Sequence, residues 1–184
     1  MIVSLFLFIK SGDTPDTKPS DLGILLMRAV FGSIGLFCNF YALDHLVLSD
    51  ASILNKLAPF FTLILSALFL KEKTNWKQFL FVSLAFVGML FVVRPEMHFS
   101  ESMVASVVGV IGGFGAGTAY ACVRALGKRG MPSSEIVFGF SLVSTIVAIP
   151  FVIIDHAPMS SLQIFYLSMA SVTATMGQFG ITLA

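Results

Sequence analysis

Long apolar segments alternate with short polar connections along this chain. After an apolar start at Met1–Ile9, six segments of 18–23 residues follow, at Leu22–Leu43, Ala51–Leu70, Trp76–Val93, Met103–Val123, Glu135–Ile154 and Leu162–Ala184. A helix needs about 20 apolar residues to cross the ~30 Å hydrocarbon core of a bilayer. Only a helix can satisfy all its backbone polar groups within one such segment. The pattern therefore predicts an all-α integral membrane protein, a polytopic helical bundle.

The composition of the chain excludes an ordinary soluble domain. Of its 184 residues, 57% are apolar and only 11% are charged, whereas soluble domains carry roughly 25% charged residues. A globule with so few charges would expose wide apolar patches to water, which soluble monomers avoid. The net charge of +1 gives no support for the basic patch that nucleic-acid binding requires. The lipid bilayer is therefore an expected partner, and nucleic acid is not.

Basic residues are concentrated in every second connection between the apolar segments. By the positive-inside rule, short loops rich in Lys and Arg face the cytoplasm. The predicted cytoplasmic loops are residues 10–21, 71–76 and 124–134. This alternation predicts one consistent orientation, with the plasma (inner) membrane as the expected location.

Four of the predicted helices carry polar or small residues on one face. Spacings of three and four residues place side chains on the same side of a helix, and polar groups inside a bilayer often mark a solute pathway. The alternative is that small and hydroxyl residues let helices pack closely, and for the glycines this interpretation is favoured. The stripes are Arg28, Gly32, Gly35 and Asn39; Ser52, Lys56, Pro59 and Ser66, flanked by Asn55; Ser106, Gly109, Gly113, Gly117, Tyr120 and Arg124; and Ser168, Ser171, Thr175, Gln178 and Thr182.

Two basic residues lie inside the predicted helices. Arg28 is ~9 Å from the cytoplasmic end of its helix at ~1.5 Å per residue, so it either extends to the interface, as long basic side chains do, or has a functional role. Lys56 lies three residues before Pro59, where a distorted helix is typical of transporter sites, and we expect it to face the pathway. No Asp or Glu is expected within a helix core. A cavity of this kind would favour neutral or anionic solutes over organic cations.

The sequence carries no recognisable catalytic arrangement. It lacks the HExxH motif of zinc proteases and the GxSxG motif of serine hydrolases. Three histidines, His45, His98 and His156, fall in predicted outer loops, where solvated side chains are favoured over a metal site. Cys38 and Cys122 lie within apolar segments, as packing residues do. The sequence therefore predicts no enzyme activity, no metal site and no cofactor.

One segment carries a family resemblance. Leu57–Pro95, LAPFFTLILSALFLKEKTNWKQFLFVSLAFVGMLFVVRP, resembles the Pro-containing fourth helix, the "LFLGE" exit and the Gly-bearing fifth helix of the EamA-like branch of the drug/metabolite transporter superfamily. Lys71 stands where that exit usually has glycine. Arg28 with Phe40–Leu43 resembles the third helix of the family, and Gly117–Arg129 resembles the start of a second repeat.

The resemblance implies a fold of ten helices in two five-helix repeats. On that pattern, residues 1–96 hold half of helix 2 and helices 3–5 of the first repeat. Residues 103–184 hold helices 6–8 of the second repeat, and helices 1, 9 and 10 are expected outside this chain. Two copies in a homodimer are one way to complete a cavity.

The stripes and the resemblance together predict a secondary transporter of small metabolites, neutral or anionic, that works by alternating access between the repeats. A transport-inactive fragment or membrane interaction module is the main alternative, and a membrane-embedded enzyme is a weaker one. The residues predicted to line the substrate pathway are Arg28, Asn39, Asn55, Lys56, Pro59, Tyr120 and Gln178.

Overall fold

Helices account for the regular structure of the chain. The computed structural model describes residues 19–69, 75–93, 103–154 and 160–183, together with Leu5 and Ile9. No strand occurs in these ranges. The helices within them are α1 (Pro19–His45), α2 (Leu48–Asn55), α3 (Ala58–Phe69), α4 (Trp76–Val93), α5 (Met103–Lys128), α6 (Ser133–Ile154) and α7 (Ser161–Leu183).

The helices lie close to where the apolar segments predicted them, and α4 agrees at both ends. The largest extension is at α5, which continues to Lys128 and so shortens the predicted cytoplasmic loop. Gly130 ends this helix with φ 82°, a left-handed conformation that glycine adopts without strain. The amide of Met131 then bonds to the Leu126 carbonyl, and that of Gly130 to the Gly127 carbonyl, which is the Schellman form of a helix end.

The predicted segment Ala51–Leu70 is divided into two helices, α2 and α3. Pro59 has no backbone N–H, so it cannot bond to the carbonyl of Asn55 one turn earlier. Hydrogen bonds between residues three apart, as in a 3₁₀-helix, replace the α-helical bonds here. The amide of Leu57 bonds to the carbonyl three residues back, at 3.2 Å, and the amide of Phe60 does the same at 3.0 Å. The proline thus places a break at Lys56 and Leu57, within an apolar stretch that is otherwise helical.

Four stretches of the described residues are long and apolar enough to cross a membrane. They are Asp21–His45, Leu48–Phe69, Met103–Lys128 and Ser133–Pro150. A shorter apolar stretch, Trp76–Phe91, lies in α4. Many large apolar side chains on the helices are exposed, as expected where a helix faces lipid rather than water.

The described residues form two compact units. The α6–α7 unit comprises those within Met1–Ala29 and Leu126–Ala184, and the α3–α5 unit comprises those within Val30–Ala125. These are units of packing rather than of sequence repetition. The division into repeats at residues 1–96 and 103–184 therefore stays a prediction.

Glycines on α5 bring helix backbones into direct contact within the α3–α5 unit. A Cβ added at Gly115 would lie 2.9 Å from the Phe31 carbonyl oxygen and 3.0 Å from the Cα of Gly35, both on α1. On another face of α5, a Cβ at Gly113 would lie 2.7 Å from the Leu54 carbonyl oxygen, beside the break. Both distances are too short for any larger residue, so these glycines serve close packing.

Helix α4 contributes no buried residue among those whose side chains are described. Its half-buried positions include Val82, Phe86 and Met89, which lie on one face at helical spacing. Phe60 of α3 packs edge-on against Phe86, with ring centroids 5.4 Å apart. The prediction that this helix faces lipid or apolar neighbours agrees with this arrangement.

Candidate functional site

Arg28 is held inside the α6–α7 unit and does not extend to the surface. Only 2% of the residue is exposed. Its Nη2 donates a 2.9 Å hydrogen bond to Oε1 of Gln178 on α7, and its guanidinium carbon lies 4.1 Å from the ring centroid of Phe140 on α6. A neutral amide oxygen and an aromatic face both stabilise a buried guanidinium. The interpretation of Arg28 as a residue that extends to the interface is therefore wrong.

Two further polar contacts join helix ends in the same unit. Asp21, which is buried near the start of α1, pairs with Arg129, the half-exposed residue after α5. The hydroxyl of Ser133, at the start of α6, donates to the carbonyl of Thr182 near the end of α7, at 3.2 Å. The orientation predicted from the charged loops would place all these helix ends on the cytoplasmic side. We call the three contacts Asp21–Arg129, Arg28–Gln178 and Ser133–Thr182 the polar clasp.

The helix break in the α3–α5 unit opens onto a cavity of about 300 Å³. Lys56 and Pro59 are exposed at this cavity, and the Lys56 ammonium makes no hydrogen bond or ion pair with any described residue. The remaining walls are apolar or aromatic. They come from α3 and α4 and are formed by Phe60, Val82, Ala85, Phe86 and Met89.

The other predicted pathway residues are separate from these two places. Asn39, Asn55 and Tyr120 are half-buried in the α3–α5 unit. Within the described part of the chain, none of their side chains makes a hydrogen bond. The structure therefore brings together Arg28 with Gln178 and, separately, Lys56 with Pro59.

The polar stripe predicted on α7 is mostly satisfied by its own helix. The hydroxyl of Ser168 donates to the Ile164 carbonyl at 2.8 Å, and that of Thr175 donates to the Ser171 carbonyl at 2.8 Å. Such bonds leave few hydroxyl donors for a solute. Gln178 is the stripe residue whose side chain reaches another helix, through Arg28.

Asp50 is a buried carboxylate that sequence reasoning missed. It lies in the first turn of α2 and is 1% exposed. Its Oδ1 accepts a 3.4 Å hydrogen bond from the Ser49 hydroxyl, whereas Oδ2 is buried with no hydrogen-bond partner among the described residues. The sequence pattern places Asp50 in the connection before the predicted segment Ala51–Leu70, whereas the structure places it in the first turn of α2 and buries it. The preference of Asp for a first helical turn was the available signal, but it gave no indication of burial.

One predicted loop histidine can be placed. His45 ends α1, where its ring stacks on Tyr41 with centroids 4.1 Å apart and its Nδ1 lies 3.0 Å from the Tyr41 carbonyl oxygen. His98 and His156 lie outside the described residues. Among the residues that the structure describes, no three His, Cys, Asp or Glu side chains are grouped as a metal ion would require.

Comparison with known proteins gives one family and several relatives. Residues 1–94 match the EamA-like transporter family. The pseudopaline exporter CntI of Pseudomonas aeruginosa is 38% identical over 162 residues, 88% of this chain and 56% of that protein. An uncharacterized transporter of Helicobacter pylori is 27% identical over 167 residues, 87% of this chain and 55% of that protein. The chain spans about half the length of these curated relatives, and no solved structure matches it significantly.

Proposed function

The chain belongs to the EamA-like transporter family, and from this premise we propose that it forms part of the solute pathway of a secondary transporter for small metabolites. The resemblance of Leu57–Pro95 to this family is thus confirmed. The names of the relatives point to transport rather than enzymatic catalysis. The fold is that of an integral membrane protein, and we place it in the plasma (inner) membrane.

The buried contact between Arg28 and Gln178 carries this proposal. An ionisable residue within a membrane helix is costly, and it commonly faces the interior of a bundle, where it contributes to a solute pathway. Arg28 is almost fully buried, although the helix around it is apolar enough to cross a membrane. The hydrogen bond from its Nη2 goes to the neutral side chain of Gln178, and a polar solute can replace that side chain as acceptor.

Alternating access requires contacts that break and re-form as the two repeats, residues 1–96 and 103–184, move against each other. Two contacts of the polar clasp, Asp21–Arg129 and Arg28–Gln178, join the two repeats, whereas Ser133–Thr182 lies within the second repeat. Hydrogen bonds between helices in membrane proteins contribute on average only about 0.6 kcal/mol each, so opening one contact costs little. We infer that the clasp closes the cytoplasmic ends of α1, α6 and α7 in one state and opens in the other.

The proposed solute is neutral or anionic. Arg28 and Lys56 would supply positive charge within the apolar spans, and Asn39, Asn55 and Tyr120 would add hydrogen bonds. Asp50 is the opposing feature, since it places one carboxylate near the predicted outer end of α2. It lies six residues from Lys56 along the chain, and in our proposal Lys56 sets the charge preference while Asp50 remains peripheral to it.

Solute flux in proteoliposomes tests the proposal. The full-length protein of the native gene is reconstituted and loaded with a panel of labelled metabolites. Gln178→Ala removes the amide of the polar clasp. The control, Gln163→Ala on the same helix, removes an amide outside the clasp whose Oε1 accepts a 2.8 Å hydrogen bond from the Ser160 amide. We expect the first variant to slow flux at least severalfold and the second to leave it unchanged. Equal flux in the two variants, or no flux of any solute with the wild type, would overturn the assignment.

A further inference from the structure

The helix break places a lysine deep within an apolar stretch. Lys56 is the cap residue that follows α2, eight residues after the start of the Leu48–Phe69 stretch. At ~1.5 Å per residue this is about 12 Å along the helix axis from its predicted outer end. That depth exceeds the length of a lysine side chain. Lys56 therefore lies about two helical turns inside the apolar stretch.

The ends of α2 and α3 that meet beside Lys56 carry opposite partial charges. The C-terminus of α2 carries partial negative charge, which favours the Lys56 ammonium beside it. The N-terminus of α3 carries partial positive charge, but it offers few free amides, because Pro59 has no N–H and the Phe60 and Phe61 amides bond to the Leu57 carbonyl. Among the described residues the ammonium has no carboxylate partner, and an isolated charge in an apolar medium is costly. An anion bound beside Lys56 would supply this partner.

The cavity next to Lys56 has walls suited to an apolar body. Phe60 and Phe86 meet edge-on and present aromatic surface, and Val82 and Met89 complete the α4 side. A volume of about 300 Å³ is at the lower end of the range for ligand pockets. One cation at one place and apolar surface elsewhere match a small molecule with a single anionic group.

We propose that this cavity binds a small monocarboxylate with a compact apolar or aromatic body as the transported solute. Its carboxylate would pair with Lys56, and its body would lie against Phe60 and Phe86. The inference rests on the proposed transport function and narrows its solute class. A membrane lipid is the competing occupant, and its phosphate would have to reach about two helical turns into the apolar stretch to pair with Lys56.

Equilibrium binding of radiolabelled phenylacetate to the full-length protein in lipid nanodiscs tests the proposal. Lys56→Gln removes the charge and keeps most of the side-chain length, whereas Lys56→Arg keeps the charge. Lys77→Gln makes the first exchange at an exposed position outside the cavity. We expect phenylacetate affinity to fall by roughly tenfold or more in Lys56→Gln, since an interaction with a charged group contributes about 1.5–3 kcal/mol. Lys56→Arg and Lys77→Gln should bind within about threefold of the wild type.

A neutral analogue separates loss of charge from loss of fold. Phenylacetamide has the same body without the carboxylate, so its affinity should be equal in the wild type and in Lys56→Gln. Ala85→Phe, which fills the cavity, should weaken both compounds. Unchanged phenylacetate affinity in Lys56→Gln would overturn the proposal, and so would the absence of saturable wild-type binding.

Solute flux and native mass spectrometry show which part of the proposal fails: the ligand, the solute class or the transport function. If Lys56→Gln loses a bound phospholipid that the wild type retains, while phenylacetate binds neither protein, the cavity is a lipid site and the proposal is wrong. If the wild type transports other solutes and Lys56→Gln transports them equally, the transport function stands and only the solute class fails. If phenylacetate binds through Lys56 but no solute crosses the membrane, the binding site stands and the transport function fails.

Discussion

The two compact units are held together in different ways. In the α6–α7 unit, side chains reach between helices and form the polar clasp. In the α3–α5 unit, glycines of α5 let backbones touch, and the core contains many alanines, among them Ala42, Ala51, Ala58, Ala105 and Ala119. Helix association in the α6–α7 unit therefore involves hydrogen-bonding groups that can exchange partners, whereas in the α3–α5 unit it involves close packing of small residues.

The two kinds of contact differ in how easily they can break and re-form during a conformational change. Lipid tails are as apolar as the helix surfaces they would replace, so helices in a membrane associate through close packing and polar contacts rather than through the hydrophobic effect. A glycine contact has no substitute partner once two backbones separate, because the surfaces lose their dispersion contacts. A hydrogen bond can pass to water or to a solute. We infer that the α3–α5 unit moves as a rigid body, whereas the polar clasp can open.

The largest effect is expected from a single methyl group at Gly115. Gly115→Ala would place its Cβ against the backbone of α1, where no flexible side chain can move aside. Overpacking of this kind costs about 1–3 kcal/mol. The thermal unfolding midpoint of the purified full-length protein should fall. Gly127→Ala, on the same helix with open space at its Cβ, is the matched control and should be neutral or slightly stabilising. Equal midpoints for the two variants would contradict the rigid packing of α5.

An effect no larger than this is expected from the Arg28–Gln178 pair. Arg28→Leu removes the donor and leaves the Gln178 amide oxygen without this hydrogen bond, at a cost of about 1–3 kcal/mol. The double variant Arg28→Leu/Gln178→Leu removes both groups. We expect it to be no less stable than Arg28→Leu alone, with a coupling of about 0.6 kcal/mol in a double-mutant cycle of chemical unfolding. Strictly additive changes would show that the hydrogen bond contributes nothing.

The smallest effect is expected at Thr62. Its hydroxyl lies 3.2 Å from the Gly117 carbonyl of α5 and 2.9 Å from the Ala58 carbonyl of its own helix. Thr62→Val should lower stability by about 0.6 kcal/mol, the average for polar contacts between membrane helices. Thr118→Val is the comparison, because among the described residues that hydroxyl bonds to the Phe114 carbonyl of its own helix and to no other helix. If Thr118→Val lowers stability more than Thr62→Val does, the hydroxyl contact between the helices makes no net contribution to stability.

Hydropathy was sufficient to predict the helices, because their length and apolar content are local properties of the sequence. The break at Lys56 was also accessible, since Pro59 removes a specific backbone hydrogen bond. The packing role of Gly113 and Gly117 followed from their spacing, which favours close helix contacts. These features depend on residues near one another along the chain.

Other features depend on distant residues and could not be predicted. The environment of Arg28 is set by Gln178, 150 residues away, and by Phe140. The burial of Asp50 is set by packing that no local pattern reports. The cavity at Lys56 requires α4 to lie beside α3, which hydropathy alone does not specify.

The glycines of α5 also have a genetic consequence. Every missense change in a glycine codon introduces a side chain, and at Gly113, Gly115 and Gly117 even the smallest side chain meets backbone atoms of a neighbouring helix. At an exposed leucine, by contrast, many single-nucleotide changes give another apolar residue that lipid accepts equally well. In a saturation library scored for folded protein, these codons of α5 would therefore tolerate fewer changes than codons for lipid-facing residues, although they specify residues with no side chain at all.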